Sequence, residues 1–494
     1  MTTAPATPAI PAKAHPRGLA TLFFTEMWER FSYYGMRALL VLFMVDGAHG
    51  GLGMTDQTAT AVYGIYTACV YLMALPGGWL ADRILGAQRA VWYGGIIIAL
   101  GHFTLALPFH SSFYVGLILV VVGSGILKPN MTSMVADLYP EGGSRRDAGF
   151  TIFYMGVNLG ATVGPLICSY LGEHVNWHYG FGAAGVGMVL GLIQFRLTRQ
   201  ALGTAGTRRG NDRPLNAVER WGMIGLVAGV VTLLGLCLGG VVSVDPASIA
   251  HAMTKVIVGI AALFFISVFV FGGLSSVEKQ RMGVIVVLFI ASAMFWAGFE
   301  QAGSSFNLFA ERYTDRQLSW VHFTIPAGWF QTLNPIFIIT FAPFMAWLWV
   351  RLAVRNLDPS IPVKFAFGLL LLAGGFLVMT GAAKVVAAGH LALPGWLLAT
   401  YFIHTFAELC LSPVGLSSVT KLSPRKYVGQ MVGIWFLATS LGNLIAGLLA
   451  GGFSADHLEA WPGLYFNIAL MPAIAGVLLL VCARPVKKWM EGVV

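Results

Sequence analysis

Two carboxylates and two guanidinium groups interrupt the first apolar run of the chain, in Thr25-Glu26-Met27-Trp28-Glu29-Arg30-Phe31-Ser32-Tyr33-Tyr34-Gly35-Met36-Arg37. On a helix, Glu26, Glu29 with Arg30, Tyr33 and Arg37 fall at i, i+3/i+4, i+7 and i+11, a single stripe that the apolar residues keep away from lipid. An ionisable side chain near the centre of a bilayer costs roughly 2.5–3.5 kcal/mol, so several on one helix imply mutual pairing, water access and a functional return. Glu29 lies about 15 Å beyond the start of the apolar run at Leu19. That depth weighs against the alternative in which the charges snorkel to the headgroups.

Three further runs carry isolated charges. Lys128 lies in Gly123-Ser124-Gly125-Ile126-Leu127-Lys128-Pro129-Asn130, where the proline removes a helical hydrogen bond and invites a kink. It faces an anionic ligand or an acidic partner, or else snorkels to the nearby boundary. Trp296, Glu300, Ser304 and Asn307 recur at i, i+4, i+8 and i+11, and His404, Glu408, Ser412 and Gly415 repeat the pattern beside Pro413. These two stripes read as cavity walls, or as packing around neutral, hydrogen-bonded acids. Taken alone, His404 reads as a packed helix residue rather than a proton relay.

Uncharged polar residues extend the same faces: Tyr71, Tyr154 with Asn158, and Gln331 with Asn334 before Pro335. An amide bonds both N–H and C=O, which suits a peptide ligand and equally suits interhelical bonding. Gly77-Gly78-Trp79-Leu80-Ala81-Asp82-Arg83 closes the second run, and with Asp82 and Arg83 it reads as a gating hinge. Gly180-Phe181-Gly182-Ala183-Ala184-Gly185 fits GxGxxG in form, but no strand precedes it, so it is a packing motif. His174 and His178 have metal-like spacing without an acid or thiol cluster beyond Glu173, and no cofactor is expected.

The elements that must position these groups are long and apolar. The 494 residues are 57% hydrophobic and 10% charged, against about 25% charged in soluble domains. Mean hydropathy is +0.75. Runs of about 20 residues suit helices crossing a bilayer rather than barrel strands, so the fold class is an all-α integral membrane protein. The net charge of +9 is scattered over loops, which excludes a nucleic-acid patch. Cys69, Cys168, Cys237, Cys410 and Cys482 have no CxxC spacing, so neither a disulfide framework nor a zinc site is indicated.

Fourteen spans are predicted, at 19–46, 58–81, 89–109, 112–136, 147–171, 179–199, 217–241, 250–273, 283–310, 324–350, 362–385, 393–420, 428–452 and 463–483. Lys13 and Arg17, Arg83 and Arg89, Arg145 and Arg146, Arg208, Arg209 and Arg213, Lys279 and Arg281, Arg351 and Arg355, Lys421, Arg425 and Lys426, and Lys487 and Lys488 fall on one side, with Arg312, Arg316 and Lys384 as exceptions. Both termini are therefore expected in the cytoplasm. The organisation predicted is a cytoplasmic tail (1–18), a six-helix bundle (19–199), a linker with two additional helices (200–282) that includes Gly210 and Pro214, a second six-helix bundle (283–483) and a tail (484–494). Charges recur on every third core helix, as expected of three-helix repeats around a central site in the major facilitator fold.

These residues together resemble the proton-dependent oligopeptide transporter family over essentially the whole chain. The carrying stretches are Glu26-Met27-Trp28-Glu29-Arg30-Phe31-Ser32-Tyr33-Tyr34-Gly35, matching ExxERFxYYG; Gly77 to Arg83; Phe153-Tyr154-Met155-Gly156-Val157-Asn158-Leu159-Gly160, close to FYxxINxG; Glu408 with Ser412-Pro413; and Gly433-Ile434-Trp435-Phe436. The two extra helices look like the prokaryotic form. The resemblance implies that Arg37 and Lys128 bind a peptide carboxylate and that Glu408, Asn158 and Asn334 hold the amino end. It also implies that Tyr33, Tyr34, Tyr71, Trp296, Trp435 and Ser412 line the pocket. Glu26, Glu29 and Arg30 would form the proton-coupling motif, and Glu300, opposite Arg37, a second proton site. Val157 replaces the usual Ile. Gly64 stands where animal members carry a proton-linked His, so coupling would rest on carboxylates.

The expected function is proton-coupled symport of di- and tripeptides across the plasma membrane, the bacterial inner membrane, by alternating access. Protons would be the coupling ion, and the protein would work as a monomer in the bilayer. When it is empty, Lys128 can pair with Glu408 and Arg37 with Glu300. The alternatives are the same fold carrying nitrate, a peptide-like drug or a modified amino acid, and a non-transporting peptide sensor. No nucleophile with base and orienter indicates an enzyme.

Overall fold

The computed structural model describes residues 14–141, 143–207, 217–238, 245–453, 457–490 and 492. Lys13, Arg208, Arg209, Gly210, Arg213, Pro214 and most of the 1–18 tail lie outside them. In chain order the long helices are α1 (Gly18–Val45), α2 (Asp56–Leu72), α3 (Ala74–Leu80), α4 (Ala87–Leu105), α5 (His110–Asp137), α6 (Gly143–His174), α7 (Trp177–Thr198), α8 (Ala217–Leu238), α9 (Pro246–Phe271), α10 (Ser276–Phe299), α11 (Ser305–Tyr313), α12 (Leu333–Val354), α13 (Ile361–Ala387), α14 (Pro394–Leu422), α15 (Val428–Ala450), α16 (Trp461–Val481) and the short α17 (Ala483–Trp489).

Among the described residues, eleven helical stretches are long and apolar enough to cross a membrane. The chain is a multi-pass membrane protein. Predicted spans 19–46, 89–109 and 217–241 are not among the eleven. The first fails because α1 carries Glu26, Glu29, Arg30 and Arg37. The second is a 19-residue helix that includes Gln88, Arg89, His102 and Thr104. Part of the third lies outside the described residues. The all-α expectation needs one amendment, a two-stranded antiparallel hairpin pairing Gln317 with Thr324 and Leu318 with Phe323.

Helix ends follow local chemistry. Ser275 and Glu278 form a reciprocal capping box at the start of α10, and Asp245 accepts from the Ala247 and Ser248 N–H groups ahead of Pro246. Glycines set how closely the charged helix is held. Gly156, Gly160 and Gly164, one turn apart on α6, sit against the Phe23, Met27 and Phe31 carbonyls of α1, where a Cβ would collide. Across the halves, Gly447 of α15 meets Gly64 of α2; a Cβ at Gly447 would lie 2.5 Å from the Thr60 carbonyl oxygen. The extra helix α9 packs against α2 and α15 through Ala250, Ile257, Ala261, Phe265 and Val268.

The second predicted span is not a continuous α-helix. It breaks at Met73 and ends in a π-helical turn, Ala81–Leu85, that contains Asp82 and Arg83. Gly77 lies directly on the Gly125 carbonyl of α5, so this irregular segment is pressed against the helix that bears Lys128.

Candidate functional site

Three elements bring charge to the middle of the molecule. On α1, Arg30 Nε lies 2.8 Å from Glu26 Oε1 and 2.8 Å from Glu29 Oε2, with all three side chains buried. Two turns further, Arg37 Nη2 meets Glu300 Oε2 at 2.7 Å, and Arg37 Nε donates to Tyr63 Oη at 2.7 Å. On α14, Glu408 Oε2 accepts from Asn334 Nδ2 at 3.0 Å, and the same amide donates to Thr405 Oγ1 at 3.1 Å.

Glu300 owes its position to a break in its helix. The regular stripe read through Trp296, Glu300, Ser304 and Asn307 does not hold, because α10 gives way to a 3-10 turn, Glu300–Gly303, before α11 begins. The turn is held by Gln301, which donates to the Ala446 carbonyl at 3.0 Å and accepts from Ser305 at 2.6 Å. Asn307 is thereby directed to the Ala38 carbonyl of α1 (2.8 Å). Trp296 and Glu300 face the cavity.

That cavity, of about 280 Å³, is lined from both halves by Tyr34, Arg37, Tyr71, Tyr154, Asn158, Trp296, Glu300, Gln331, Asn334, Tyr401, His404, Glu408 and Ser412, with Val157, Ala161, Phe299, Ala302, Pro335 and Ile338 as its apolar part. Access runs from the end of the molecule where α1 begins. On α6 the cavity residue nearest that end, Tyr154, is 44% exposed, whereas Asn158, one turn deeper, is 4% exposed.

The opposite end is clamped shut between the halves. Arg312 grips Asp56 through both terminal nitrogens (2.8 and 2.9 Å). Glu173 accepts from the Ala327 and Gly328 N–H groups (2.7 and 3.0 Å) and lies 3.4 Å from Arg316. Trp329 Nε1 donates to the Leu166 carbonyl at 2.9 Å, and His174 Nε2 bonds the Thr324 carbonyl at 2.9 Å. His174 thus clasps the hairpin, while the His178 ring packs edge-on against Phe43.

Three of the residues assigned to the pocket are placed elsewhere. Lys128 is off the wall, with its ammonium 4.5 Å from the Tyr33 ring centroid and 5.1 Å from that of Tyr71, a two-ring cation–π cage. No Lys128–Glu408 ion pair is present among the described residues: Asn334 holds Glu408 on α14, while the tyrosine rings hold Lys128 on α5. Tyr33 is buried beneath the wall as part of that cage. Trp435 packs against Phe365 and the face of Gly415, where a Cβ would collide with its ring. Tyr63, Tyr401 and Phe299 were missed. Tyr401 had a signal, since it precedes His404 by three residues and Glu408 by seven. Tyr63 had none, because its partner Arg37 lies on another helix.

Residues 88–460 match the family profile described as PTR2, POT family. The chain belongs to the POT family. Among its relatives, the peptide transporter YePEPT of Yersinia enterocolitica subsp. palearctica is 41% identical, covering 97% of this chain and 96% of that protein. The di-/tripeptide transporter of Lactococcus lactis subsp. cremoris is 37% identical, covering 97% of each. A crystal structure of a variant of the peptide transporter POT in complex with alafosfalin superposes with a TM-score of 0.89 at 39% identity over 98% of each chain. A POT family transporter in complex with 5-aminolevulinic acid gives 0.86 at 32% identity, covering 96% of this chain and 98% of that one. The fold is therefore the major facilitator fold of the POT family, and the family and these relatives are transporters.

Proposed function

We propose that this POT family member couples the inward movement of protons to that of di- and tripeptides by alternating access. The observation that carries the proposal is a small cavity with a cation, Arg37, from one half and a carboxylate, Glu408, from the other. A zwitterion needs opposite charges held apart, and about 280 Å³ is near the lower end of the roughly 300–1,000 Å³ usual for small-molecule sites. Arg37 takes the peptide carboxylate; Glu408, Asn334 and Asn158 take the amino end.

The coupling follows from competition for Arg37. Its guanidinium is engaged by Glu300, so a peptide carboxylate binds there most favourably when Glu300 carries a proton. Glu26, Glu29 and Arg30 form a second charge cluster on the same helix. Its proton occupancy acts on Lys128 across the tyrosine cage. A proton moving down 100 mV contributes about 2.3 kcal/mol, about a fifty-fold concentration ratio for one proton per peptide.

The same proposal places the protein in the bacterial inner membrane as a monomer with fourteen spans, two six-helix bundles and both termini in the cytoplasm. Protons are its coupling ion, and it needs no cofactor. The cavity then opens inward, and the Asp56–Arg312 clamp is the outer gate. A modified amino acid is the second substrate reading, favoured by the structural neighbour complexed with 5-aminolevulinic acid. The test is uptake of labelled alanylalanine into proteoliposomes under an imposed pH gradient. Competition by unlabelled di- and tripeptides supports the peptide reading. Competition by the modified amino acid alone supports the other.

A further inference from the structure

His404 is a cavity residue that the coupling scheme leaves unused, and its surroundings define its state. The ring stands in a cage of Phe376, Phe306 and Phe299, with centroids 5.1, 5.7 and 6.4 Å away. Gly375 of α13 makes room for it: a Cβ there would collide with the imidazole. Nε2 lies 3.1 Å from the Leu372 carbonyl oxygen. A carbonyl can only accept, so Nε2 carries the hydrogen and Nδ1 of the neutral ring is an acceptor. Among the described residues nothing bonds Nδ1, although His404 is only 2% exposed and lines the cavity.

We propose that His404 determines specificity, its Nδ1 accepting a hydrogen bond from the ammonium group of the transported molecule. This deepens the peptide reading above and rests on it. An ammonium group has three donors, and burial requires an acceptor for each. Glu408, one turn along α14, supplies one, and an amide oxygen, of Asn334 or of Asn158, supplies a second, since their Nδ2 groups are engaged by Glu408 and Tyr154 respectively. His404 adds an acceptor from a third direction, fixed by the Leu372 bond and the aromatic cage. A substrate whose amino group carries a methyl in place of one hydrogen leaves one acceptor unmet and forces a methyl against it.

The test compares, in proteoliposomes, the half-inhibitory concentrations of alanylalanine, N-methyl-alanylalanine and propionylalanine against labelled alanylalanine uptake. In the unaltered protein the N-methyl compound should compete about tenfold less well than alanylalanine. His404→Phe and His404→Leu should bring that ratio close to one, and His404→Gln, whose amide oxygen is again an acceptor, should restore it. Propionylalanine should stay a poor competitor throughout, because Glu408 still demands a positive charge. Each ratio is taken within one variant, so a loss of folded protein does not mimic the effect. Equal competition by the two peptides in the unaltered protein overturns the inference without any variant, as does an unchanged ratio in both apolar variants. Failure of alanylalanine itself to compete overturns the peptide reading and the inference with it.

Discussion

Arg37 and Glu300, one from each half of the molecule, meet at 2.7 Å on the wall of the central cavity, while Tyr63 holds the remaining edge of the guanidinium through Nε at 2.7 Å. The cation is therefore aimed rather than free, and in the proposed coupling its acidic partner is the group a substrate carboxylate displaces. Glu300→Gln removes that competition permanently. Accumulation of peptide against its gradient should fall to background, while exchange of labelled for unlabelled peptide at equal concentrations should persist. Undiminished uphill uptake by this variant contradicts the assignment of Glu300.

The neighbouring glycine offers a test that leaves every charge in place. A Cβ at Gly303 would collide with the Tyr63 hydroxyl, and shifting that phenol releases Arg37 Nε. Overpacking of this kind costs about 1–3 kcal/mol. Gly303→Ala should thus reduce proton-driven uptake about tenfold or more with only a modest fall in thermal midpoint, read by uptake assays and by scanning fluorimetry of the purified protein.

At the closed end, the pairing of Arg312 with Asp56 joins the two halves through two parallel bonds. The side chains are partly accessible, so the pair stabilises the closed outer face by about 1 kcal/mol, about fivefold in the ratio of the two open forms. Asp56→Asn should raise the labelling rate of a cysteine placed in the cavity by an impermeant reagent from that side. Exchanging both charges, Asp56→Arg with Arg312→Asp, should return the rate toward that of the unaltered protein.

Glu408 is held by a neutral amide, not by a cation, which leaves its charge available to a ligand. Glu408→Gln should weaken competition by peptides with a free amino terminus by about tenfold or more, while N-acetylated peptides, poor competitors at the outset, should change little. Equal losses for both classes would place the ammonium elsewhere.

Much of this site was legible in the sequence because membrane burial makes charge conspicuous. Glu26, Glu29, Arg30, Arg37, Glu300 and Glu408 each stand out from an apolar run, and helical spacing put Asn158 and Asn334 on the corresponding faces, whereas on α1 it pointed to Tyr33, and Tyr34 came from the family resemblance alone. What spacing could not convey was any departure from a regular helix. The 3-10 turn at Glu300–Gly303 turned Asn307 away from the stripe, and the break at Met73 with the π-turn at Ala81–Leu85 altered the hinge. Nor could it convey contacts chosen by a second helix. Lys128 went to the Tyr33 and Tyr71 rings rather than to Glu408, Trp435 went to Gly415 and Phe365, and Tyr63 came to Arg37. The hairpin at 317–324 was not legible because strands of two residues leave no period to read.

Whether peptide and proton move together is answered most directly in liposomes holding the purified protein and an internal pH indicator, with the membrane potential clamped. Adding alanylalanine outside should acidify the lumen at a rate that saturates with peptide and keeps a constant ratio to labelled peptide entry, and Glu300→Gln should abolish the acidification. Peptide entry with no change in internal pH would contradict the account.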